Sequence, residues 1–339
     1  MDESDPATVP EALRGHFRLA TLDRVSWGLF LPRRDGLSEL EAWHRELIAL
    51  REVMPKHAVF THVTGARLRG WRLPRLQGTV PVFAAVREGD RSPRRHGLIC
   101  SRLRRDPPHL KGVVARPTLD DDGLPRPGLL ETDAPAEILL RAARDLGTLD
   151  LVIMIDSARR LGDLEPGDLD AVLGSGRPGV NLLRGAWQLS DPRTESVPES
   201  LLHCFLRCLG VKVEPQVALA DEDGVQFGRG DFGVEGTSLV YEYDGAEHRT
   251  ARRQTADLRR ERRMGANYIR KAWTLDELLN HPAVVAHEID RDLGRPHRPD
   301  DVRAWKHLVD NSQYGEIGRR RTMNRWWRNS GLDDWSRTA

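Results

Sequence analysis

The sequence predicts a mixed α/β chain in two parts, the second built on one mixed sheet with helices against it. Three observations carry this. Apolar residues recurring at helical spacing alternate with short β-rich runs along the chain. The run Ser190-Asp-Pro-Arg-Thr-Glu-Ser-Val-Pro198 interrupts that pattern. The length, 339 residues, suits two domains and leaves room for a small third. The expected parts are residues 1–190, residues 194–290, and a basic, Trp-rich tail over 291–339.

In the first part, residues 1–36 are short on periodicity and end in an apolar stretch, Trp27-Gly-Leu-Phe-Leu, closed by Pro32-Arg-Arg-Asp-Gly36. Leu40, Trp43, Leu47, Ile48 and Leu50 then recur at helical spacing and predict a helix over 37–50. Ala58-Val-Phe-Thr-His62 reads as a strand or a buried helix entry. Strands are expected at 80–86, 97–100 and 113–114. Asp120-Asp-Asp-Gly123 and the nearby prolines make 119–127 a loop without the ligand spacing of a calcium site. Helices follow at 134–146, 149–160, 168–173 and 180–189. His57 and His62 are read as core or surface residues in preference to a metal pair.

The second part has the order α-β-β-β-α-β-α. Pro198 opens a helix whose stripe is Leu201, Leu202, Phe205, Leu206 and Leu209, and Gly210 closes it. Strands are expected over 213–219, 226–234 and 237–243. A basic helix over 250–264 is stopped by Gly265. A strand at 267–272 precedes Thr274-Leu-Asp-Glu277, a capping box.

Composition narrows the class. Hydrophobic residues are 39% of the chain, enough for packed cores, and the net charge of +1 names no partner. Only five of the 52 basic residues are lysine, and arginine forks suit phosphates, although an arginine-rich genome gives the same bias. Three cysteines, Cys100, Cys204 and Cys208, form no CxxC pair, so neither a disulfide framework nor a zinc site is expected. The acidic Met-Asp-Glu-Ser-Asp start lacks the order of a signal peptide. Apolar runs fall far short of the ~20 residues of a membrane helix. A soluble, cytoplasmic protein is expected.

The chemistry centres on the strands flanking Glu235-Gly236. A two-residue hairpin loop there pairs Val234 with Thr237 and Asp231 with Val240. Side chains alternate faces. Phe232, Val234, Leu239, Tyr241 and Tyr243 then share one face, and Asp231, Gly233, Ser238, Val240, Glu242 and Asp244 the other. Like charges on one sheet face repel by roughly 0.2–1 kcal/mol per opposed pair. A divalent cation reverses that, because Mg²⁺ selects hard oxygen ligands. An exposed acidic face and a metal site both fit this geometry. The following segment favours the site: between residues 249 and 271 nine basic residues stand against Asp257 and Glu261. Arginines beside a metal-type acidic cluster suit phosphodiester chemistry.

The run Gly230-Asp231-Phe-Gly-Val, Val240-Tyr-Glu242-Tyr-Asp244-Gly245-Ala-Glu-His248, Gln254, Asp257, Arg260 and Tyr268-Ile-Arg270 resembles a family of nuclease-like proteins related to very-short-patch repair endonucleases, within the PD-(D/E)XK superfamily. Glu199 looks like the acidic residue of that family's first helix. The resemblance covers roughly residues 194–279. It implies a restriction-endonuclease-like fold, Asp231 and Glu242 as ligands of Mg²⁺ or Mn²⁺, and Glu199 and Asp244 completing the site. His248, whose unperturbed pKa is near ~6.5, would move protons. Arg252, Arg253, Arg260 and Lys271 would contact DNA. The superfamily's third residue is usually a lysine two positions after the glutamate, and here that position is Asp244. Lys271 is a candidate for a relocated lysine, and a structural placement fits it equally.

Residues 1–190 resemble the region preceding such modules in AbiEi-type antitoxin proteins, which usually begin with a winged helix-turn-helix. Trp27-Gly-Leu-Phe-Leu-Pro-Arg33 reads as the remnant of the wing, and His62-Val-Thr-Gly-Ala-Arg-Leu-Arg-Gly-Trp71 as the segment after it. The expected function is a Mg²⁺-dependent DNA endonuclease in a defence, repair or toxin–antitoxin setting, with a toxin or defence partner. The alternative is a DNA-binding, antitoxin-like regulator whose nuclease fold is inactive, and a third reading is a protein-interaction role. In the tail, Trp305, Trp326, Trp327 and Trp335 stack on bases or pack on the body; packing is the favoured expectation.

Overall fold

The computed structural model describes residues 12–16, 19–102, 113–114, 130–245 and 267–331. It is mixed α+β, with three sheets among the described residues. The chain divides into two compact units: residues 1–71, 76–142 and 321–339, and residues 72–75 and 143–320. No described helix is long and apolar enough to cross a membrane.

The first unit opens with β1 (Leu13–Arg14), β2 (Leu22–Ser26) and β3 (Leu29–Pro32), ordered β1-β3-β2 and antiparallel. Trp27 and Gly28, with φ +66°, turn the β2–β3 hairpin. Seven residues, 15–21, separate β1 from β2. A Ser38–Glu41 capping box starts α1 (Glu39–Arg51). β4 (Val59–Phe60), β5 (Val82–Val86), β6 (Leu98–Arg102), β7 (Val113–Val114) and β8 (Glu131–Thr132) form a sheet in the order β6-β5-β4-β8-β7. Its core joins Leu47, Phe60, Ala84, Val86 and Leu98.

On this sheet α2 (His62–Leu68) packs against α3 (Pro135–Ala142). A Cβ at Gly65 would stand 2.9 Å from Phe60 O and 3.0 Å from Ile138, so the approach requires glycine. Buried Arg141 donates to buried Asp133 at 2.8 Å and to Ser101 at 2.9 Å, tying α3 to the sheet. From residue 321 onward the C-terminal helix Glu316–Ser330 belongs to this unit. Trp326, 1% exposed, meets Phe83 and His62 edge-on, so this helix is part of a core; Trp335 lies outside the described residues.

The second unit contains α4 (Thr148–Arg160), a 3₁₀ turn at Pro166–Leu169, α5 (Asp170–Leu173), α6 (Val180–Leu189), α7 (Val197–Cys208), β9 (Val213–Ala220), β10 (Gln226–Val234), β11 (Leu239–Tyr243) and β12 (Ile269–Trp273). α8 (Leu275–Asn280), behind its Thr274–Glu277 capping box, α9 (Pro282–Asp292) and α10 (Pro299–Asp310) follow. The sheet order is β12-β11-β10-β9, antiparallel except for β11–β12. The α7 stripe Leu201, Leu202, Phe205, Leu206 and Leu209 is buried as expected, and Trp305 of α10 packs edge-on against Phe205.

The expected break at 190–194 is not where the units part. Asp156 of α4 accepts the Asp191 N–H (2.8 Å), the Thr194 hydroxyl (3.0 Å) and the Ser200 hydroxyl (2.7 Å). The polar run is thus a buried joint between α4 and α7, and its composition alone reads as a linker. The expected loop 119–127 and basic helix 250–264 lie outside the described residues.

Candidate acidic site on the mixed sheet

β10 and β11 pair with Phe232 opposite Tyr241 and Gly233 opposite Val240. The pairs end at Phe232–Tyr241, and Asp231 and Glu242 are the next residue on each strand. The sequence expectation, Asp231 opposite Val240, assumed a two-residue loop; the strands are joined instead by the four residues 235–238. Thr237 explains the difference. Its N–H and hydroxyl both donate to Val234 O, at 3.2 and 3.0 Å, and its Oγ1 accepts the Leu239 N–H at 3.1 Å. Those bonds commit Thr237 to the turn. The resulting slip is two residues, an even number, so Phe232, Val234, Leu239 and Tyr241 keep their shared face. Alternation breaks between Phe232 and Gly230, where a Cβ would point at Val240 and Glu242. Phe232, Val234, Leu239 and Tyr241 are buried, and His203 of α7 stacks on Phe232 at 5.7 Å. Val240 clusters instead with Leu219, Val217, Phe227 and Tyr268.

At Asp231 the side chain enters the strand bonding, its Oδ2 accepting the Tyr243 N–H at 2.8 Å. Across β9 the register falls on Gln216, between the pairs Pro215–Phe232 and Val217–Gly230. Gln216 has φ +58°, an uncommon conformation for a residue with a Cβ and a place where strain collects near sites. Its Nε2 donates to Glu199 Oε2 at 2.8 Å. Glu199, 8% exposed, also accepts the Glu195 N–H at 2.7 Å. Ser196 as N-cap and Pro198 start α7 and set Glu199 in its first turn. Glu199 therefore reaches the sheet through Gln216.

Glu242 is 4% exposed, and its Oε2 lies 2.6 Å from Arg270 Nε. Parallel pairing of β11 with β12 sets Arg270 beside Val240, two positions from the Glu242–Ala272 pair and so on the same face. Gly230 keeps that face open: a Cβ there would sit 2.5 Å from Val240 Cγ1 and 3.6 Å from Glu242 Oε1. Lys271 is placed elsewhere, its Nζ 3.5 Å from Asp292 of α9. The cation that meets Glu242 is Arg270. Asp244 lies just past the last strand pair, its N–H donating to Trp273 O at 2.9 Å. His248, Arg252, Arg253 and Arg260 lie outside the described residues. Gln216 and Asp231 thus lie between the same flanking pairs of β9 and β10, and Glu199 is bonded to Gln216. Asp231 and Glu242 each follow the Phe232–Tyr241 pair on adjacent strands. Among the described residues, no three of His, Cys, Asp and Glu are grouped to hold a metal ion.

No family model, curated protein or solved structure matches the chain.

Around the start of α7 the charges are interlocked. Glu195 pairs with Arg160 at 2.9 Å and Arg229 at 2.7 Å. Arg72 donates through Nη2 to Thr194 O and through its N–H to Ser157 Oγ. Burial pushes the Asp156 carboxyl up to about 7 against the opposing pull of Ser200, Thr194, the Asp191 N–H and Arg72. Burial lowers Arg72, with Asp156 and Glu199 opposing. His203 is pushed down to about 4 by burial.

Sequence reasoning missed Gln216 and the part played by Arg270. Gln216 carries no local signal, since neither its residue type nor its neighbours announce a positive φ. Arg270 was visible only as one of many basic residues, because a parallel register across a crossover cannot be read from spacing.

Proposed function

We propose that residues 197–292 are a PD-(D/E)XK-type nuclease module that hydrolyses phosphodiester bonds in DNA. The observation that carries this is that Asp231 and Glu242 are the residues next to the Phe232–Tyr241 pair on adjacent strands, with Glu199 of α7 bonded to Gln216 of the neighbouring strand β9. The order α7-β9-β10-β11, with β12 parallel to β11, supports this reading.

The donor set fits Mg²⁺ or Mn²⁺, since such an ion commonly takes one or two protein carboxylates and completes its shell with water and phosphate. Asp231 and Glu242 would hold it, and its chemistry when bound is charge neutralisation at the phosphate and a more acidic water. This chain's residues do the rest. The Tyr243 N–H fixes Asp231, Gln216 holds Glu199, and Arg270 balances the buried Glu242 charge. The test is cleavage of supercoiled plasmid and labelled oligonucleotides with Mg²⁺ or Mn²⁺. Asp231→Ala and Glu242→Ala are each expected to lower the rate at least 100-fold; cleavage surviving both rejects the assignment.

One observation favours a second reading. Arg270 at 2.6 Å already supplies Glu242 with a cation, where the superfamily's lysine position is Asp244. On that reading the module is an inactive scaffold in an antitoxin-like DNA-binding regulator. It expects salt-dependent binding without metal, and no strand breaks with either ion.

A further inference from the structure

The first unit contains a cavity of about 870 Å³ that the acidic site does not use. Three stretches of chain wall it: Arg14 and Trp27 of the N-terminal sheet, residues 52–55 after α1, and residues 91–95 with Arg102 around the β5–β6 connection. Five arginines line it, Arg14, Arg91, Arg94, Arg95 and Arg102, against a single lining carboxylate, Glu52.

Several of these cations are held in place by backbone. Arg95 Nη1 donates to Trp27 O at 2.7 Å, Arg102 Nη1 to Asp90 O at 2.9 Å, and Arg14 to Glu52 O. Each such bond uses one of the five donors of a guanidinium. Arg91 and Arg94 make no hydrogen bond or ion pair among the described residues. The ionised form of Arg95 is disfavoured first by burial and then by Arg14. Folding therefore gathers like charges in a concave wall at a cost that an entering anion would relieve, and such a wall concentrates anions.

The other walls narrow the anion. Trp27 is 64% exposed, with Arg24 over its ring at 5.2 Å, and Val53, Met54, Pro55 and Pro93 add apolar surface. The volume is in the range of sites for ligands of drug size and far larger than one phosphate needs. An aromatic plane beside a cluster of guanidinium forks matches a base attached to phosphates. We propose that this cavity binds the phosphates and base of a nucleotide, presented free or within a single strand. The site stands apart from the nuclease reading, because it is in the other unit and needs no metal.

The experiment is equilibrium binding to the full chain in EDTA, with ATP, a labelled 12-nucleotide single strand and inorganic phosphate as probes. ATP or the strand is expected to bind and phosphate to bind at least tenfold more weakly. Arg91→Ala/Arg94→Ala, at exposed positions, should weaken binding at least tenfold with an unchanged circular dichroism spectrum. Trp27→Ala should weaken it several-fold, whereas Asp231→Ala should leave ATP binding intact. ATP binding alone assigns the free nucleotide, and strand binding sensitive to Arg91 and Arg94 assigns the strand. Binding by neither probe, binding indifferent to the arginine pair, or equal affinity for phosphate overturns the proposal. Nucleotide binding by a parent chain that cleaves no DNA with Mg²⁺ or Mn²⁺ would count against the nuclease reading only.

Discussion

Glu242 and Arg270 show how the mixed sheet accommodates a carboxylate in a nearly closed place. Breaking a fully buried ion pair costs about 3–5 kcal/mol, mostly from the charge left behind. Arg270 is 38% exposed while the Glu242 side chain is 5% exposed, so solvent screens the cation and the cost shrinks to about 1–2 kcal/mol. Arg270→Met is expected to lower the unfolding free energy, read from a urea titration, by that much. Arg270→Met in a Glu242→Gln background should cost much less, because the amide carries no charge to strand. A single variant as stable as the parent would show that Arg270 does not neutralise Glu242.

At the scale of elements, the two central strands depend on a missing side chain. A Cβ at Gly230 would fall 2.5 Å from Val240 Cγ1, and overpacking of this kind typically costs about 1–3 kcal/mol. Gly230→Ala should destabilise by that amount in a denaturant titration, and by clearly less in a Val240→Ala background. Equal costs in the two backgrounds would mean that the strands absorb the methyl by moving apart. The same pair of strands marks what the sequence could and could not disclose. Their apolar face was legible, because alternation survives any even slip, and so were the α7 stripe, its Pro198 start and the Thr274 capping box. The register was not, because Thr237 spends its hydrogen bonds on a four-residue turn. The partner of Glu242 was hidden for a different reason: β12 joins in parallel after a crossover, and no local pattern says which of Arg270 and Lys271 will face it. The unit boundary misled because a run rich in Ser, Asp, Pro and Thr reads as linker unless the carboxylate that binds it, Asp156 of α4, is known to be its acceptor.

On the largest scale, two buried groups on either side of α7 set opposite pH dependences. Asp156 has a folded pKa of about 7, raised by burial. Its contribution is complete below the unfolded value of ~3.9 and is lost as pH rises towards 7, because the unfolded carboxyl ionises first. His203 has a folded pKa of about 4, lowered by burial, with Arg207 and Arg193 acting the same way and Asp191 opposing. Its contribution is complete above the unfolded value of ~6.5 and is lost as pH falls towards 4. Between about pH 4 and 6.5 the two slopes have opposite sign and nearly cancel, so the parent protein should be almost flat there as far as this pair is concerned. Asp156→Asn keeps the joint hydrogen-bonded, since the amide can accept the Asp191 N–H and donate to the hydroxyls. It removes one slope and exposes the other: relative to the parent, stability should rise with pH by about 3 kcal/mol between pH 4 and 6.5. His203→Gln should do the reverse, falling relative to the parent by about 3 kcal/mol from pH 4 to 6.5. Protection of the α7 amides from hydrogen exchange, corrected for the intrinsic rate at each pH, reads this locally. Parallel profiles for the parent and Asp156→Asn would mean that Asp156 titrates as an ordinary carboxylate and that the joint binding residues 191–200 to α4 is open to water.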